Sequence, residues 1–291
     1  MAEPATPLER ALALRRVPGL EDADPGLLAT LAPHVELRRL AAGERLDGAR
    51  PRVLHFVLDG ALGGRARHEA GSLLGQPLGG GTDAVALEES AVLAFDLDEI
   101  AELCEERFSV LLAAVRAIAR DALRRARAAA PSDAGSAAAP APPRDVPSAG
   151  AASGLGARIA LLASCPAFAA IPVHAVGELA QAARPLALRA GERLWRAGDP
   201  SGWLVAVGAG ALEARAERSR FAVGRCAVAG LLESIAAEPR WYTATARTAV
   251  SGLAVDVGAV YDAAEDDSET AADLLAALVR SWRQPAGAPP P

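Results

Sequence analysis

The stretch "GLLESIAAEPRWYTATA", residues 230–246, contains the residue types of an anion-binding loop. It offers a glycine, a Pro-Arg pair whose cation could pair with a phosphate or carboxylate, and a run of small residues. A leucine and two large aromatic side chains stand where small or acidic groups would be expected. The sequence leaves two readings open: Arg240 still binds an anion, or the aromatic side chains fill the pocket.

The other titratable residues show no catalytic or metal-binding pattern. The four histidines have no nearby serine or cysteine nucleophile motif, and the three cysteines lack the spacing of metal ligands. Acidic residues cluster at 96–106 and 265–267, where solvated helix starts are expected. We therefore predict that the chain is not an enzyme and holds no metal or cofactor of its own.

Composition restricts the functional class further. The 291 residues suffice for about two domains. A net charge of -6 argues against a nucleic-acid-binding surface, and all 30 basic residues are arginine. The N-terminus shows no signal peptide, and the longest apolar run, from Ile159, is short and broken by prolines. With aromatics at only 4%, we expect aliphatic cores in a soluble, cytoplasmic protein with reduced thiols.

An internal repeat organises the chain. Residues 17–46 align without a gap to 165–194, and both segments contain "AGERL". The matches continue in the same order, with "LHFVLDGAL" against "LVAVGAGAL" and then "SAVLAFDLDEI" against "SGLAVDVGAV". A series of matches in one order indicates two copies of a single fold.

Each copy begins with apolar residues at helical spacing, continues with short strands separated by glycines, and ends in a helical stretch. This pattern predicts an α+β fold, with two copies of an antiparallel, jelly-roll-like β-roll flanked by N- and C-terminal helices. We predict domain 1 at 8–128, a disordered Pro/Ala/Ser/Gly linker at 129–155, domain 2 at 156–284 and a disordered tail at 285–291.

The closing helices are predicted at 98–129 and 267–284. The first has an apolar stripe beside an arginine-rich face. Such a stripe packs onto its own barrel or forms a dimer seam, and we predict packing together with a homodimer through 107–129.

"LRAGERLWRAGDPSGWLVAVGAGAL", residues 188–212, resembles the cyclic nucleotide-binding domain of catabolite activator proteins and kinase regulatory subunits. The resemblance implies that 230–246 corresponds to the family's phosphate-binding cassette, a short helix whose amides face the cyclic phosphate. Gly230 and Arg240 match the family spacing, and Thr243 matches a later threonine. Trp241 and Tyr242 replace small residues and could stack on a base or fill the roll.

The ribose-binding carboxylate of the family is absent from both copies. Leu231 takes its place in copy two, and Ser72, after a retained Gly71, takes it in copy one. Copy one also has no arginine between Arg67 and Arg107. Its triple glycine at 79–81 could present amides to a phosphate, but a turn is the simpler interpretation. We expect no cyclic nucleotide in copy one.

Two functions remain open. The first is a non-catalytic regulatory or scaffold protein that acts through protein partners and has largely lost ligand binding. The second is a sensor that binds a cyclic nucleotide or related phosphate in domain 2 through Arg240. A transcription regulator would need a DNA-reading helix-turn-helix after the roll, for which we find no room, so we predict no DNA and no membrane partner.

Overall fold

The computed structural model describes residues 5–21, 23–46, 52–64, 67–75, 84–129, 154–217 and 219–266. The chain divides into two compact units, Met1–Asp121 and Ala122–Pro291. The predicted tail, the second closing helix at 267–284 and most of the predicted linker lie outside the described residues.

The first unit begins with helical segments and continues as a β-roll. The helices are α1 (Pro7–Leu14) and α2 (Pro25–Leu31), followed by a 3₁₀ turn (Ala32–His34). The described strands are β1 (Val35–Leu40), β2 (Arg45–Leu46), β3 (Val53–Asp59), β4 (Ala61–Gly63), β5 (Arg67–Glu69), β6 (Leu73–Leu74), β7 (Ala84–Ala86) and β8 (Ser90–Asp96). They form two antiparallel sheets, in the orders β1-β8-β3-β6 and β2-β7-β4-β5.

The second unit repeats this arrangement. Helices α5 (Leu155–Ala163) and α6 (Val173–Ala182) precede its roll, α7 (Leu231–Ala236) interrupts it, and α8 (Val257–Asp266) follows it. Its described strands are β9 (Arg184–Leu188), β10 (Arg193–Trp195), β11 (Trp203–Ala209), β12 (Leu212–Arg215), β13 (Arg220–Val223), β14 (Val228–Ala229), β15 (Thr243–Ala246) and β16 (Val250–Asp256). The sheets have the orders β9-β16-β11-β14 and β10-β15-β12-β13. These correspond strand by strand to β1-β8-β3-β6 and β2-β7-β4-β5 of the first unit.

Local irregularities repeat as well. The β3–β8 register shifts between Val57 and Asp59, and the β11–β16 register shifts between Val207 and Ala209. Each shift is followed by a left-handed glycine at φ 76° or 80°, where the chain turns into the other sheet. The predicted fold class, two antiparallel rolls with flanking helices, is confirmed.

The two cores differ in composition. The first contains only aliphatic side chains in its main cluster: Leu40, Leu46, Val57, Leu62, Leu74, Ala84, Ala86 and Val92. The second adds Trp195 and Tyr242 to its aliphatic residues. The expectation of aliphatic cores therefore holds for the first cluster and is wrong for the second, against which Trp203, Phe221 and Trp241 also pack.

The predicted helix at 98–129 is two helices, α3 (Leu97–Glu106) and α4 (Phe108–Ala129). Arg107 between them is extended, at φ -142° and ψ 104°. The apolar stripe of α4 is buried within the chain, since Val110, Val115 and Leu123 are each at most 2% exposed. Packing of this stripe is thus observed, and the homodimer stays a prediction. No described helix is long and apolar enough to cross a membrane.

Candidate functional site

The cassette of the second unit is built around a short helix. Gly230 opens α7 in a left-handed conformation, φ 78°, and Ala237 ends it at φ 53°. A β-carbon at Gly230 would lie 2.1 Å from Nη1 of Arg240 and 3.1 Å from the Trp195 ring. Glycine is required at this position by both backbone conformation and space, because the arginine lies directly against it.

Arg240 points into the protein and is only 2% exposed. Its Nη1 donates to the carbonyl oxygen of Gly230 at 3.0 Å and to the hydroxyl of Ser234 at 3.4 Å. Its Nη2 donates to the carbonyl oxygen of Trp203. The guanidinium that could pair with a phosphate is therefore bonded to acceptors of its own chain.

An indole ring covers the guanidinium. The Cζ atom of Arg240 lies 4.0 Å from the ring centroid of Trp195 and 5.5 Å from that of Trp203. The two rings are edge to face at 5.4 Å. A desolvated cation over an indole face is a favourable contact, so the aromatic rings add to the hydrogen bonds that hold Arg240 inward.

Tyr242 fills the interior beside this cation. It is 4% exposed and packs edge-on against Trp195 at 5.7 Å, Phe221 at 5.1 Å and Trp241 at 5.3 Å, measured between ring centroids. Trp241 is only half-buried and stacks on Phe221 at 5.5 Å. Tyr242, rather than Trp241, is thus the aromatic residue of the cassette that enters the core.

The turn formed by "RAGD", 196–199, fixes the backbone of the cassette. The amide of Arg240 donates to the carbonyl of Asp199 at 2.9 Å, and the amide of Gly198 donates to the carbonyl of Arg240 at 2.8 Å. The Thr243 hydroxyl accepts from the amide of Ala197 at 3.1 Å. This motif therefore supports the cassette through backbone bonds, and Thr243 takes part in that support.

A buried carboxyl group completes the site. Glu233 on α7 is 3% exposed, and its Oε1 has no hydrogen-bond partner. Burial raises the pKa of Glu233, and the charge of Arg240 opposes that rise. Burial also lowers the pKa of Arg240, against the influence of Glu233, and raises the pKa of Tyr242. The cassette thus holds a buried carboxyl group, that of Glu233, and a buried guanidinium, that of Arg240, in a desolvated interior.

The first unit shows a different register from the one predicted. Strand β6 pairs with β3 as β14 pairs with β11, with Leu74 opposite His55 and Ala229 opposite Val205. The residue after β6, Gly75, is therefore the counterpart of Gly230. The prediction that Gly71 opens the cassette of copy one places it four residues too early, because the strand register cannot be read from the glycines alone.

The connection that corresponds to the cassette in the first unit comprises 76–83, against 231–242 in the second. It includes the triple glycine and Asp83, and these residues lie outside the described part of the chain. Its sequence contains no arginine. The shorter segment therefore lacks the cation that distinguishes the second cassette.

Sequence reasoning found part of this site. Gly230, Arg240 and Tyr242 lie together in the second unit, whereas Trp241 and Thr243 lie at the margin of this group; that they bind a ligand stays a prediction. It missed the residues around Arg240 and Tyr242: Trp195, Trp203, Phe221, Glu233 and Ser234. A signal was available, since aromatics make up only 4% of the chain and most of these positions are aromatic.

Among the residues that the structure describes, the other titratable groups form no comparable site. His34 pairs with Glu99 at 3.0 Å on the surface. Within the described ranges, no group of three or more histidine, cysteine or acidic residues is placed to hold a metal ion.

Comparison with known proteins yields only structural neighbours. No family model and no curated protein matches the chain. The regulatory subunit of a cAMP-independent protein kinase A from Trypanosoma brucei is 15% identical, with a TM-score of 0.38, covering 96% of this chain and 91% of that one. A cyclic nucleotide-binding domain from Methylobacillus flagellatus KT is 16% identical, with a TM-score of 0.38, covering 44% and 75%.

The N-terminal domain of a transcriptional regulator from Streptomyces coelicolor A3(2) is 28% identical, with a TM-score of 0.38, covering 41% of this chain and 90% of that one. The neighbours include the kind of domain that the sequence resembles. Because all three TM-scores are low, we base the functional conclusion on the residues of the cassette.

Proposed function

We propose that this chain is a non-catalytic regulatory or scaffold protein with two cyclic nucleotide-binding-like domains, which acts through protein partners without binding a cyclic nucleotide. The observation that carries this proposal is the enclosure of Arg240 by the carbonyls of Gly230 and Trp203 and by the Trp195 ring.

A phosphate at this cassette would have to compete with the protein itself. Hydrogen bonds to a charged group contribute about 1.5–3 kcal/mol each, and Arg240 makes such bonds to two buried carbonyls. Releasing the guanidinium would cost each carbonyl its bond to the charged donor, leave Ser234 as the donor that both still have, and uncover the Trp195 ring. Leu231 adds no acceptor for a ribose hydroxyl, so little remains to offset that cost.

Calorimetric titration of the full chain with cAMP and with cGMP tests the proposal. We expect no heat of binding for either nucleotide. Micromolar binding that disappears in Arg240→Ala would overturn it. A variant that replaces the ribose acceptor and removes the aromatic bulk, Leu231→Glu/Trp241→Ala/Tyr242→Ala, serves as a control. Binding of a nucleotide by this variant and not by the wild-type chain would show that Leu231, Trp241 and Tyr242 are the side chains that prevent nucleotide binding.

The second candidate is a sensor that binds a cyclic nucleotide or related phosphate through Arg240. One observation favours it: Nε of Arg240 is buried without a hydrogen-bond partner, which leaves one donor available. A rise in the melting temperature of the second unit with cAMP, absent in Arg240→Ala, would support the sensor.

The proposal includes an unidentified protein partner, a cytoplasmic location and a homodimer through 107–129. The location rests on three free thiols. Because the apolar stripe of α4 is buried within the chain, a dimer would use its remaining arginine-rich face. Light scattering of the purified chain at low and high salt tests for a dimer of this kind, since a charged interface is sensitive to screening.

A further inference from the structure

Cys226 has an unfavourable backbone conformation. It lies in the turn between β13 and β14 at φ 62°, in the left-handed region. In the described part of the chain, Ala237 is the one other non-glycine residue with positive φ. A residue with a β-carbon is strained there, so the presence of cysteine calls for an explanation.

The first unit shows which residue the fold accommodates without strain. The Cys226 amide donates to the carbonyl of Val207 at 2.7 Å, and the Gly71 amide donates to the carbonyl of Val57 at the same distance. The two turns are therefore equivalent, and Gly71 adopts φ 86°. Where copy one has glycine, copy two has a thiol in spite of the backbone strain.

A second thiol lies close by. The Ser164 hydroxyl is 3.5 Å from Sγ of Cys226, and Cys165 is the next residue in the chain. Cys165 is fully buried and Cys226 is 7% exposed. Burial, together with the neighbouring Cys226, raises the pKa of Cys165 to about 12. The sulfur of Cys226 therefore lies against the residue that precedes Cys165, and Cys226 is the cysteine nearer to solvent.

We propose that Cys165 and Cys226 form a reversible disulfide when the protein is exposed to hydrogen peroxide. The Cys226 thiolate attacks the peroxide, the O–O bond breaks, and the sulfur keeps one oxygen as a sulfenic acid while the other leaves as water. The Cys165 sulfur then displaces that oxygen as a second water and forms the S–S bond. Two thiols lose two electrons and two protons, and hydrogen peroxide is reduced to two waters.

The position of this bond gives it a structural consequence. Cys165 directly follows the segment that ends α5, and Cys226 precedes Gly230 by one short strand. A disulfide would connect the helices before the roll to the turn that leads into the cassette. This inference does not depend on whether the cassette binds a nucleotide.

The test uses the full-length chain treated with hydrogen peroxide, alkylated, digested with trypsin and analysed by mass spectrometry without reduction. We expect the peptides 159–189 and 226–240 to appear joined by a disulfide, and reduction with dithiothreitol to release them. A thiol assay in denaturant should show two of the three thiols lost after oxidation and recovered after reduction.

Cys226→Gly is the main variant, because it installs the residue that the first unit has at this turn and should fold. We expect it to lose the joined peptides, as should Cys165→Ala. Cys104→Ser is the matched control, since it removes the half-buried cysteine of the first unit, and it should retain them. Independent oxidation of Cys226 to a sulfinic acid, or a disulfide that includes Cys104, would overturn the proposal.

Discussion

The two cassettes follow strands that pair in the same register, but their sequences carry different side chains. In the second unit a buried arginine lies between an indole ring and two carbonyls, and a tyrosine occupies the core. In the first, the segment is shorter and has no arginine, and a histidine lies in the strand where the second unit has a valine. The comparison indicates that the two rolls share their strand register and the left-handed glycines at their turns, whereas the side chains of the cassette can differ.

Removal of the enclosed cation should have the largest effect. Arg240→Ala removes the hydrogen bonds of the guanidinium to two carbonyls and takes from Glu233 the larger of the two positive charges that act on it, so we expect the second unit to lose about 4 kcal/mol of unfolding free energy. All four tryptophans lie in the second unit, so tryptophan fluorescence during urea unfolding reports on it selectively. A loss below about 1 kcal/mol would indicate an arginine free for a ligand.

Acid should distinguish the two units. His55 is 3% exposed, and burial, together with the charge of Arg38, lowers its pKa from 6.5 to about 4. At a pH between about 4 and 6.5, His55 is therefore protonated in the unfolded chain and neutral in the folded chain. The free energy of unfolding of the first unit falls as the pH drops from about 6.5 towards 4. The loss should approach about 3 kcal/mol for the first unit.

His55→Val copies the residue that the second unit has at this position, Val205. We expect the variant to remove most of the acid sensitivity seen by circular dichroism, which detects both units, and to leave the fluorescence transition unchanged. The same acid sensitivity in the wild type and in the variant would show that another group is responsible.

A smaller effect is expected where the cassette begins. Gly230→Ala places a β-carbon against Arg240 in a left-handed conformation and should cost the second unit about 2–3 kcal/mol. Gly191→Ala is its control, since Gly191 has a similar φ of 83° with no atom within 4 Å of an added β-carbon. We expect about 1 kcal/mol there. Equal losses would show that contact with Arg240 contributes nothing.

The smallest expected difference is the one between the two aromatic residues of the cassette. Tyr242 lies in the core and Trp241 lies at its margin. Tyr242→Ala should therefore destabilise the second unit by about 3–4 kcal/mol, whereas Trp241→Ala should cost about 1–2 kcal/mol less than that. The difference between the urea unfolding midpoints of the two variants measures how much more Tyr242 than Trp241 contributes to the stability of the second unit.

The sequence predicted the repeat and the fold because both copies carry the same series of motifs, which the strand orders confirm. It also pointed to Gly230, Arg240 and Tyr242, which lie together in the second unit. It could not show that Arg240 turns inward, because an arginine bound to backbone carbonyls leaves no pattern in the side chains around it. It also misplaced the first cassette by choosing Gly71 over Gly75, since several glycines there suit a turn equally well.

The enclosure of Arg240 also affects how this chain could change over evolutionary time. A residue that contributes several kcal/mol to folding can be retained by selection for stability alone, because that is a large fraction of the free energy of unfolding of a typical domain. On the proposed function, the Pro-Arg pair would therefore persist without any ligand. An arginine held in this way does not by itself identify a present ligand.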